Sequence, residues 1–445
     1  MTEGPVSEKI IRFAIPLFIG NLFQQLYNMA DSLIVGNFIG SRALAAVSSA
    51  GNLIFLLTGF FAGLSMGAGV VIARYIGARD SESVRVSVHT TVAMGLVISA
   101  VLTFIGVFFT PGILRLMGTP SDVFTQSVIY FRIYFLGSFG QVMYNVFVAI
   151  LQAAGDSRHP LYYLTAASGI NIGLDLLFVA VMHMGVGSAA FATILSQLLS
   201  AVLCLIRLMR VNADYRVDIR EIRFQRQMLG RITRYGIPSG FQNSIIGFAN
   251  VVVQSYINYF GPMAMAGAGA YSKIEGFAFI PITSFAMALT TFVSQNIGAG
   301  KSERAAAGAK FGTGLTAALA EIIGIVTFVT APALISAFDR TPEVIVYGTD
   351  RARACALFYC LLAFSHARAS ILRGAGRPAV PMLVMLVCWC VIRVAILAAA
   401  GGIYRTISTV NWVYPITWAL SSIVFEAYYL KFDFTKNAGK LGKTA

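Results

Sequence analysis

Charge is what this sequence has least of. Of its 445 residues only 12% are Asp, Glu, Lys or Arg, whereas ordinary soluble domains carry about 25%. Hydrophobic residues make up 57% and the mean hydropathy is +0.75. A water-soluble core cannot use so much apolar surface, which excludes a soluble globular domain. Histidine is reduced to four scattered residues, His89, His159, His183 and His366, without a metal pattern, and HExxH is absent. An intramembrane enzyme is therefore the most remote reading, and no enzyme is expected. The five cysteines (Cys204, Cys355, Cys360, Cys388 and Cys390) fall inside apolar runs and show neither zinc nor disulfide spacing. They read as reduced packing residues. Glu3, Glu8, Lys9 and Arg12 precede a long apolar run. A short apolar core with a small-residue cleavage site is missing, so a cleavable signal peptide is not expected.

What is present is length. A helix crossing about 30 Å of hydrocarbon needs about 20 apolar residues. Such runs lie near 10–37, 43–73, 87–111, 122–150, 160–182 and 187–209, then 232–258, 265–295, 307–336, 343–371, 378–400 and 405–430. The expected fold is all-α: a polytopic membrane protein of about twelve transmembrane helices in two parallel six-helix lobes. The net charge of +14 is no nucleic-acid signature, because the basic residues gather in alternate loops. Arg74, Arg79 and Arg85, then Arg158, then Arg207 to Arg234, then Lys301, Arg304 and Lys310, then Arg373 and Arg377 alternate with loops holding little beyond Arg42, Arg115, Arg340 and Arg405. The positive-inside rule then places both termini in the cytoplasm, and the cytoplasmic (inner) membrane is the expected location. Residues 211–231 form the one substantial polar stretch, a basic connector. Its Arg216, Arg220, Arg223 and Arg226 suit one face of an amphipathic helix on the inner leaflet. The domains expected are 1–210, the connector 211–231, 232–430, and a basic tail 431–445 with Lys431, Lys436, Lys440 and Lys443.

The chain says nearly the same thing twice. Leu151-Gln152-Ala153-Ala154-Gly155-Asp156-Ser157-Arg158-His159-Pro160 returns as Leu372-Arg373-Gly374-Ala375-Gly376-Arg377-Pro378-Ala379-Val380-Pro381, 221 residues later. Ile76-Gly77-Ala78-Arg79 returns as Ile297-Gly298-Ala299-Gly300, and Pro111 and Arg132 as Pro332 and Arg353, at the same offset of 221. Pro16 pairs with Pro238 at 222. Six spans per copy return the chain to its starting side, so the copies insert in the same sense, related by an axis along the membrane normal. That is transporter architecture.

Charge inside a span is costly and marks function. Asp31 lies deep in the first span and ends a polar stripe of Asn21, Gln24, Gln25 and Asn28. The fifth span carries Ser168, Asn171 and Asp175 on one face, and Thr193 opens the sixth. If Asp31 and Asp175 converge in a dry site, both cannot stay ionised without a cation, and the titration belongs to the pair. The pair wants one proton, or a hard cation with Asn171 and Thr193 adding neutral oxygens. The scaffold is duplicated but the acids are not: Asp31 is matched by Val253 and Asp175 by Ile396. A purely structural role would appear in both copies, whereas ion coupling needs one. Arg132 and Arg353 do recur and read as structural. Lys273 and Glu275 do not share a helix face. Glu275 either meets a cationic substrate or pairs with a base. Arg393, Glu321, Glu426, His366 and Arg368 are partnered or reach an interface. Asn21, Gln24, Asn28, Asn243, Gln254 and Glu275 are the candidates for substrate contact or a polar network. Gly59, Gly63, Gly67 and Gly69 allow close helix approach.

These residues carry a resemblance to the multidrug and toxic compound extrusion (MATE) family. The matching features are Pro16 to Gly40 with Asp31, Ala73-Arg74-Tyr75-Ile76-Gly77-Ala78, Leu151-Gln152-Ala153-Ala154-Gly155-Asp156 and Asn171-Ile172-Gly173-Leu174-Asp175. Gly185-Val186-Gly187-Ser188-Ala189-Ala190-Phe191-Ala192-Thr193 and Val293-Ser294-Gln295-Asn296-Ile297-Gly298-Ala299 complete them. The resemblance implies an H+- or Na+-coupled antiporter exporting organic, cationic or amphiphilic compounds by alternating access. It has no cofactor beyond the coupling ion and is expected as a monomer in the lipid bilayer, with no nucleic-acid partner. It also implies a coupling-ion site at Asp31, Asn171, Asp175 and Thr193. Some members use acids of the seventh and tenth spans instead. Here those spans offer Gln242, Asn243, His366 and Arg368, with Asp350 too near the end of its span, which favours the first lobe. A flippase for a lipid-linked saccharide is the alternative within the superfamily. It would need Arg or Lys in its cavity for pyrophosphate, whereas the first-lobe charges are mainly acidic.

Overall fold

Without water in the hydrocarbon, every backbone N–H and C=O must be satisfied within its own segment, so apolar runs of this length fold as helices. The computed structural model describes residues 1–39, 41–116, 121–403 and 406–431; Gly40, Arg405, Lys436, Lys440, Lys443 and the side chain of Arg42 lie outside the description. The first series is α1 (Val6–Ile34), α2 (Ser41–Ala78), α3 (Ser81–Leu116), α4 (Ser121–Leu136), α5 (Ser138–Ala153), α6 (Arg158–Asp175) and α7 (Gly187–Arg210). The second is α8 (Arg226–Asn258), α9 (Pro262–Gly298), α10 (Ser302–Ser336), α11 (Pro342–Ala356), α12 (Tyr359–Gly374), α13 (Ala379–Met385), α14 (Arg393–Ile403) and α15 (Ile407–Leu430). The described residues contain no strand, and all five cysteines are free.

Among the described residues, seven helical segments are long and apolar enough to cross a membrane, or nine when the bent pairs α4–α5 and α11–α12 each count as one span. The remaining long helices, α1, α8 and α15, have 29, 33 and 24 residues. They are long enough to span at about 1.5 Å per residue, and polar residues set along them lower their hydropathy. Counted with the nine, they make up the expected twelve.

The duplication extends to backbone detail. The bends fall at Gly137 and at Leu357–Phe358, with angles of 46° and 53°. In the second copy Glu321 answers the break by accepting the Cys360 N–H at 3.2 Å. Arg132 donates to the Val107 carbonyl at 3.2 Å, and Arg353 lies 5.7 Å from the Phe328 ring. Each thus ties its helix to the preceding one, the structural role expected of both. Left-handed residues close four helices at matched places: Gly155 and Gly376 at φ 90°, Gly300 at φ 71° and Arg79 at φ 56°. At each, the next N–H reaches back to a carbonyl five residues earlier, as in Asp80 to Tyr75 at 3.2 Å and Lys301 to Asn296 at 2.8 Å. Arg79 is the one without glycine, and a side chain there costs about 1–2 kcal/mol. Arg79→Gly is expected to stabilise the protein by about 0.5–1 kcal/mol, after the extra unfolded-state freedom of glycine is subtracted. Thermal unfolding in detergent reads this as a raised midpoint; a lowered one shows that the arginine side chain matters more.

The chain forms two compact units, one of Ile19–Gly240 and one of Met1–Phe18 with the residues from Phe241 onward. The boundaries depart from a plain cut at the connector in a symmetric way. α1 and α8 each pass from one unit to the other shortly after an internal proline, Pro16 and Pro238. In the second unit Ile10, Phe13 and Leu17 of α1 pack with Leu289 and Phe292 of α9. In the first, Met228, Ile232 and Tyr235 of α8 join Leu64, Val71 and Phe131. Gly63 and Gly67 of α2 cross Gly240 and Gly236 of α8 so closely that an added Cβ would stand 2.4 Å and 2.3 Å from the facing Cα atoms. Gly69 meets Ala149 less tightly.

The connector is not an amphipathic helix. Residues 211–225 form no α-helix: a turn over 213–215, closed by the Arg216 N–H on the Ala213 carbonyl at 2.9 Å, and a short turn over Ile219–Glu221 interrupt an irregular stretch. Its acids hold it, not its arginines. Glu221 pairs with Arg85, Asp214 accepts from Ser81 at 2.7 Å, and the Asp218 N–H donates to His89 Nε2 at 3.0 Å. Val217 is buried, while Arg216, Arg220, Arg223 and Arg226 face outward. Tertiary ion pairs and local Asp capping outcompete a helix that has no apolar face to bury.

Candidate functional site

Two helical irregularities position the acids of the first unit. One turn after Asp31 the first helix widens into a π turn over Val35–Ile39, and directly after Asp175 α6 does the same over Leu176–Val181. π turns are rare and cluster at functional sites. Ser168, Asn171 and Asp175 share the inner face of α6 with exposures of 6%, 1% and 0%. α7 contributes Thr193, Ser196, Gln197 and Ser200 at helical spacing, and α1 contributes Tyr27. These side chains, except Asp175, line a cavity of about 10 Å³ with Leu164 and Ala167, room for about one water or a small ion. Asp31 lies within electrostatic reach of Asp175, and both act on Tyr27 and Tyr130.

Nothing basic answers the acids: no ion pair among the described residues includes either one. Oδ1 of Asp31, both carboxylate oxygens of Asp175, both amide atoms of Asn171 and the hydroxyls of Ser168 and Ser200 are buried without a hydrogen-bond partner. An unmet buried polar group costs about 1–3 kcal/mol, and more when charged. Thr193 donates its proton to the Ala189 carbonyl at 3.0 Å, which leaves oxygen lone pairs free to accept a cation. The donors are all oxygens, and no group of three or more His, Cys, Asp or Glu occurs among the described residues. That set suits a shared proton or a hard monovalent ion, not a transition metal.

The structure therefore brings Asp31, Asn171, Asp175 and Thr193 into one polar region. It distributes the other candidates. Asn21 and Gln24 are half-buried on α1, whereas Asn28 is exposed, because the inward face of α1 runs through Gln24, Tyr27 and Asp31. Asn243, Gln254 and Glu275 belong to the other unit. Gln254 is exposed and donates to Asn258 at 2.9 Å. Tyr27, Ser196, Gln197 and Ser200 were not singled out by the sequence reading, although 193, 196, 197 and 200 carry the signal of a polar helical face.

The second unit has a basic interior. Arg351, Arg368, Arg373 and Arg393 are all buried. Arg368 pairs with Glu426 at 2.6 Å, and Arg373 donates to Gln242 at 3.1 Å. His366 packs edge-on against Phe279 and Trp389. Glu275 accepts from the Tyr271 hydroxyl at 3.1 Å and lies within electrostatic reach of Arg351 and Arg393, so it faces bases within its own unit.

The MatE family model matches residues 16–177 and 238–398, one match per repeat. The probable multidrug resistance protein YoeA of Bacillus subtilis is 27% identical over 427 residues, covering 94% of this chain and 92% of that protein. An FAD transporter of Shewanella oneidensis is 24% identical, covering 97% and 95%. The solved structure of a MOP superfamily transporter from Pyrococcus furiosus, described as having a binding pocket of reverse polarity, superposes with a TM-score of 0.90 at 24% identity, covering 96% and 95% of the two chains. A duplicated, all-helical membrane chain whose two halves each match one model is accounted for: it belongs to the MatE family of transporters and is not an enzyme.

Proposed function

We propose that this transporter is a cation-coupled antiporter, driven by H+ or Na+, that exports organic cationic or amphiphilic compounds by alternating access of its two lobes. The observation that carries the reading is the unpaired acid pair of the first unit, Asp31 and Asp175, beside the orphaned amide of Asn171. An ion entering from outside offsets one of the two charges of the pair and favours the state that releases cargo outward. One charge moving down the membrane potential supplies about 2.3 kcal/mol per 100 mV. Coupling requires that the ion bind the two states with different affinity. The relative named a multidrug resistance protein supports this cargo class, and the one named an FAD transporter widens the range of cargo carried by similar chains. The distribution of basic residues among the loops supports cytoplasmic termini and an inner-membrane location, and a monomer is the proposed acting form.

The test is efflux of ethidium from proteoliposomes, with Na+ and pH gradients imposed separately, for wild type and Asp31→Asn. Transport driven by one gradient and lost in the variant is the expected result and identifies the ion. Ion-driven efflux that survives Asp31→Asn removes the coupling role.

A further inference from the structure

The duplication lets the interior of the second unit be read position by position against the polar region of the first. At the offset of 221, Tyr130, Ser168, Thr193 and Ser196 correspond to Arg351, Trp389, Tyr414 and Thr417. The second copy of α6 carries its π turn earlier, over Leu386–Ile392, and a π turn accommodates one extra residue. Burial records the slip. Leu164 and Ser168 match Met385 and Trp389 at 221, while Asn171 and Asp175 match Arg393 and Leu397 at 222, all of them buried. Arg393 therefore stands where Asn171 stands, and Arg351 where Tyr130 stands.

Polarity is reversed between the two places. Arg351 and Arg393 are 5% and 2% exposed and lie 5.0 Å and 4.2 Å from the ring centre of Tyr414. Glu275 is the acid that counters them. It is half-buried, and neither guanidinium forms an ion pair with it among the described residues. Arg393 donates to Thr417 at 2.8 Å and 3.3 Å. Nε and Nη1 of Arg351 are buried without a partner. The aromatic faces attract the charge but place no acceptor in the guanidinium plane. One carboxylate against two buried guanidiniums leaves an excess positive charge, which is costly unless an anion meets it.

We infer that Arg351 and Arg393 form an anion site in the second unit that takes a carboxylate or phosphate group, with Tyr414 and Trp389 as its walls and Glu275 as its resident counter-charge. A guanidinium pair binds such oxyanions through short, charge-assisted hydrogen bonds. The inference concerns the unit without the acid pair, so it stands even if Asp31→Asn leaves coupling unchanged.

The tryptophans make the site directly observable. The chain has three, Trp389, Trp412 and Trp418, and all belong to the second unit. Tryptophan fluorescence of the purified full-length protein in detergent is titrated at constant ionic strength with inorganic phosphate, phenyl phosphate and tetramethylammonium. The expected result is a saturable change with the phosphates and none with the cation. Saturation by phenyl phosphate at least about tenfold below inorganic phosphate points to the anionic group of an organic cargo; equal saturation points to a free anion. Glu275→Gln removes the competing charge and is expected to tighten phosphate binding by about tenfold. Arg351→Gln and Arg393→Gln are expected to abolish the response. A wild type without saturable response to any phosphate overturns the inference. So does a Glu275→Gln protein that binds phosphate no more tightly, an outcome that survives even if the arginine variants fail to fold.

Discussion

Asp175→Asn is expected to end gradient-driven efflux while leaving the protein folded and the cargo still able to leak down its own gradient. Asparagine keeps the shape of the side chain, and Asp175 has no hydrogen bond to lose, so the helix packing has little reason to change. What goes is one of two buried negative charges. A site that must hold a proton or a cation against Asp31 alone loses about 2 kcal/mol or more, equivalent to about a thirtyfold weaker ion affinity. Asp31 and Asp175 act on one ion, so their effects should not add. The double variant Asp31→Asn/Asp175→Asn should transport about as poorly as either single one. Initial efflux rates in proteoliposomes under the effective gradient decide it. An Asp175→Asn rate within about twofold of wild type would show that the acids are not the coupling centre. Losses that multiply in the double variant would mean two separate sites.

Gly67→Val is expected to be worse for the molecule than any change at the ion site. The added Cβ would lie 2.3 Å from Gly236 Cα, with backbone and not a flexible side chain in the way. Gly63 repeats the contact with Gly240 one turn earlier, so α2 and α8 cannot pivot about one point to make room. Overpacking in a core costs about 1–3 kcal/mol where side chains can yield; two facing backbones cannot, and more than about 3 kcal/mol is expected. In practice the yield of monodisperse protein in size-exclusion chromatography should collapse. Gly314→Ala is the control, since nothing lies within 4 Å of its added Cβ, and it should match wild type. A Gly67→Val protein with an unchanged profile would show that the crossing is looser than drawn.

The acid pair was legible before any coordinates because an ionisable residue in a span is rare and costly, and because Ser168, Asn171 and Asp175 repeat at helical spacing. The same logic failed at the margins of the site. Asn28 looks like a member of the stripe, yet the stripe is wide, and packing turns Tyr27 inward and Asn28 outward. The connector failed for another reason. Periodicity of Arg216, Arg220, Arg223 and Arg226 describes a helix that could form on a lipid surface, but Arg85, His89 and Ser81 offer the connector specific partners, and those contacts are invisible to a local pattern.

The amino-acid sequence by itself determined the membrane class, the duplicated helical scaffold and the asymmetry of its acids. Each follows from composition, run length or a constant offset, properties that do not depend on how helices face one another. Tertiary structure alone decided which carboxyl, amide and hydroxyl groups are left without partners, where Gly63 and Gly67 meet α8, and what stands opposite what in the two copies. At a fixed offset Asp175 aligns with Ile396, but the π turn before Arg393 rotates the helix by one residue and puts Leu397 in its place, with Arg393 at the position of Asn171. A repeat in sequence counts residues, whereas a binding site is built from the direction in which each side chain points, and one extra residue in a helical turn changes that direction without changing the count that a reader of the sequence would make.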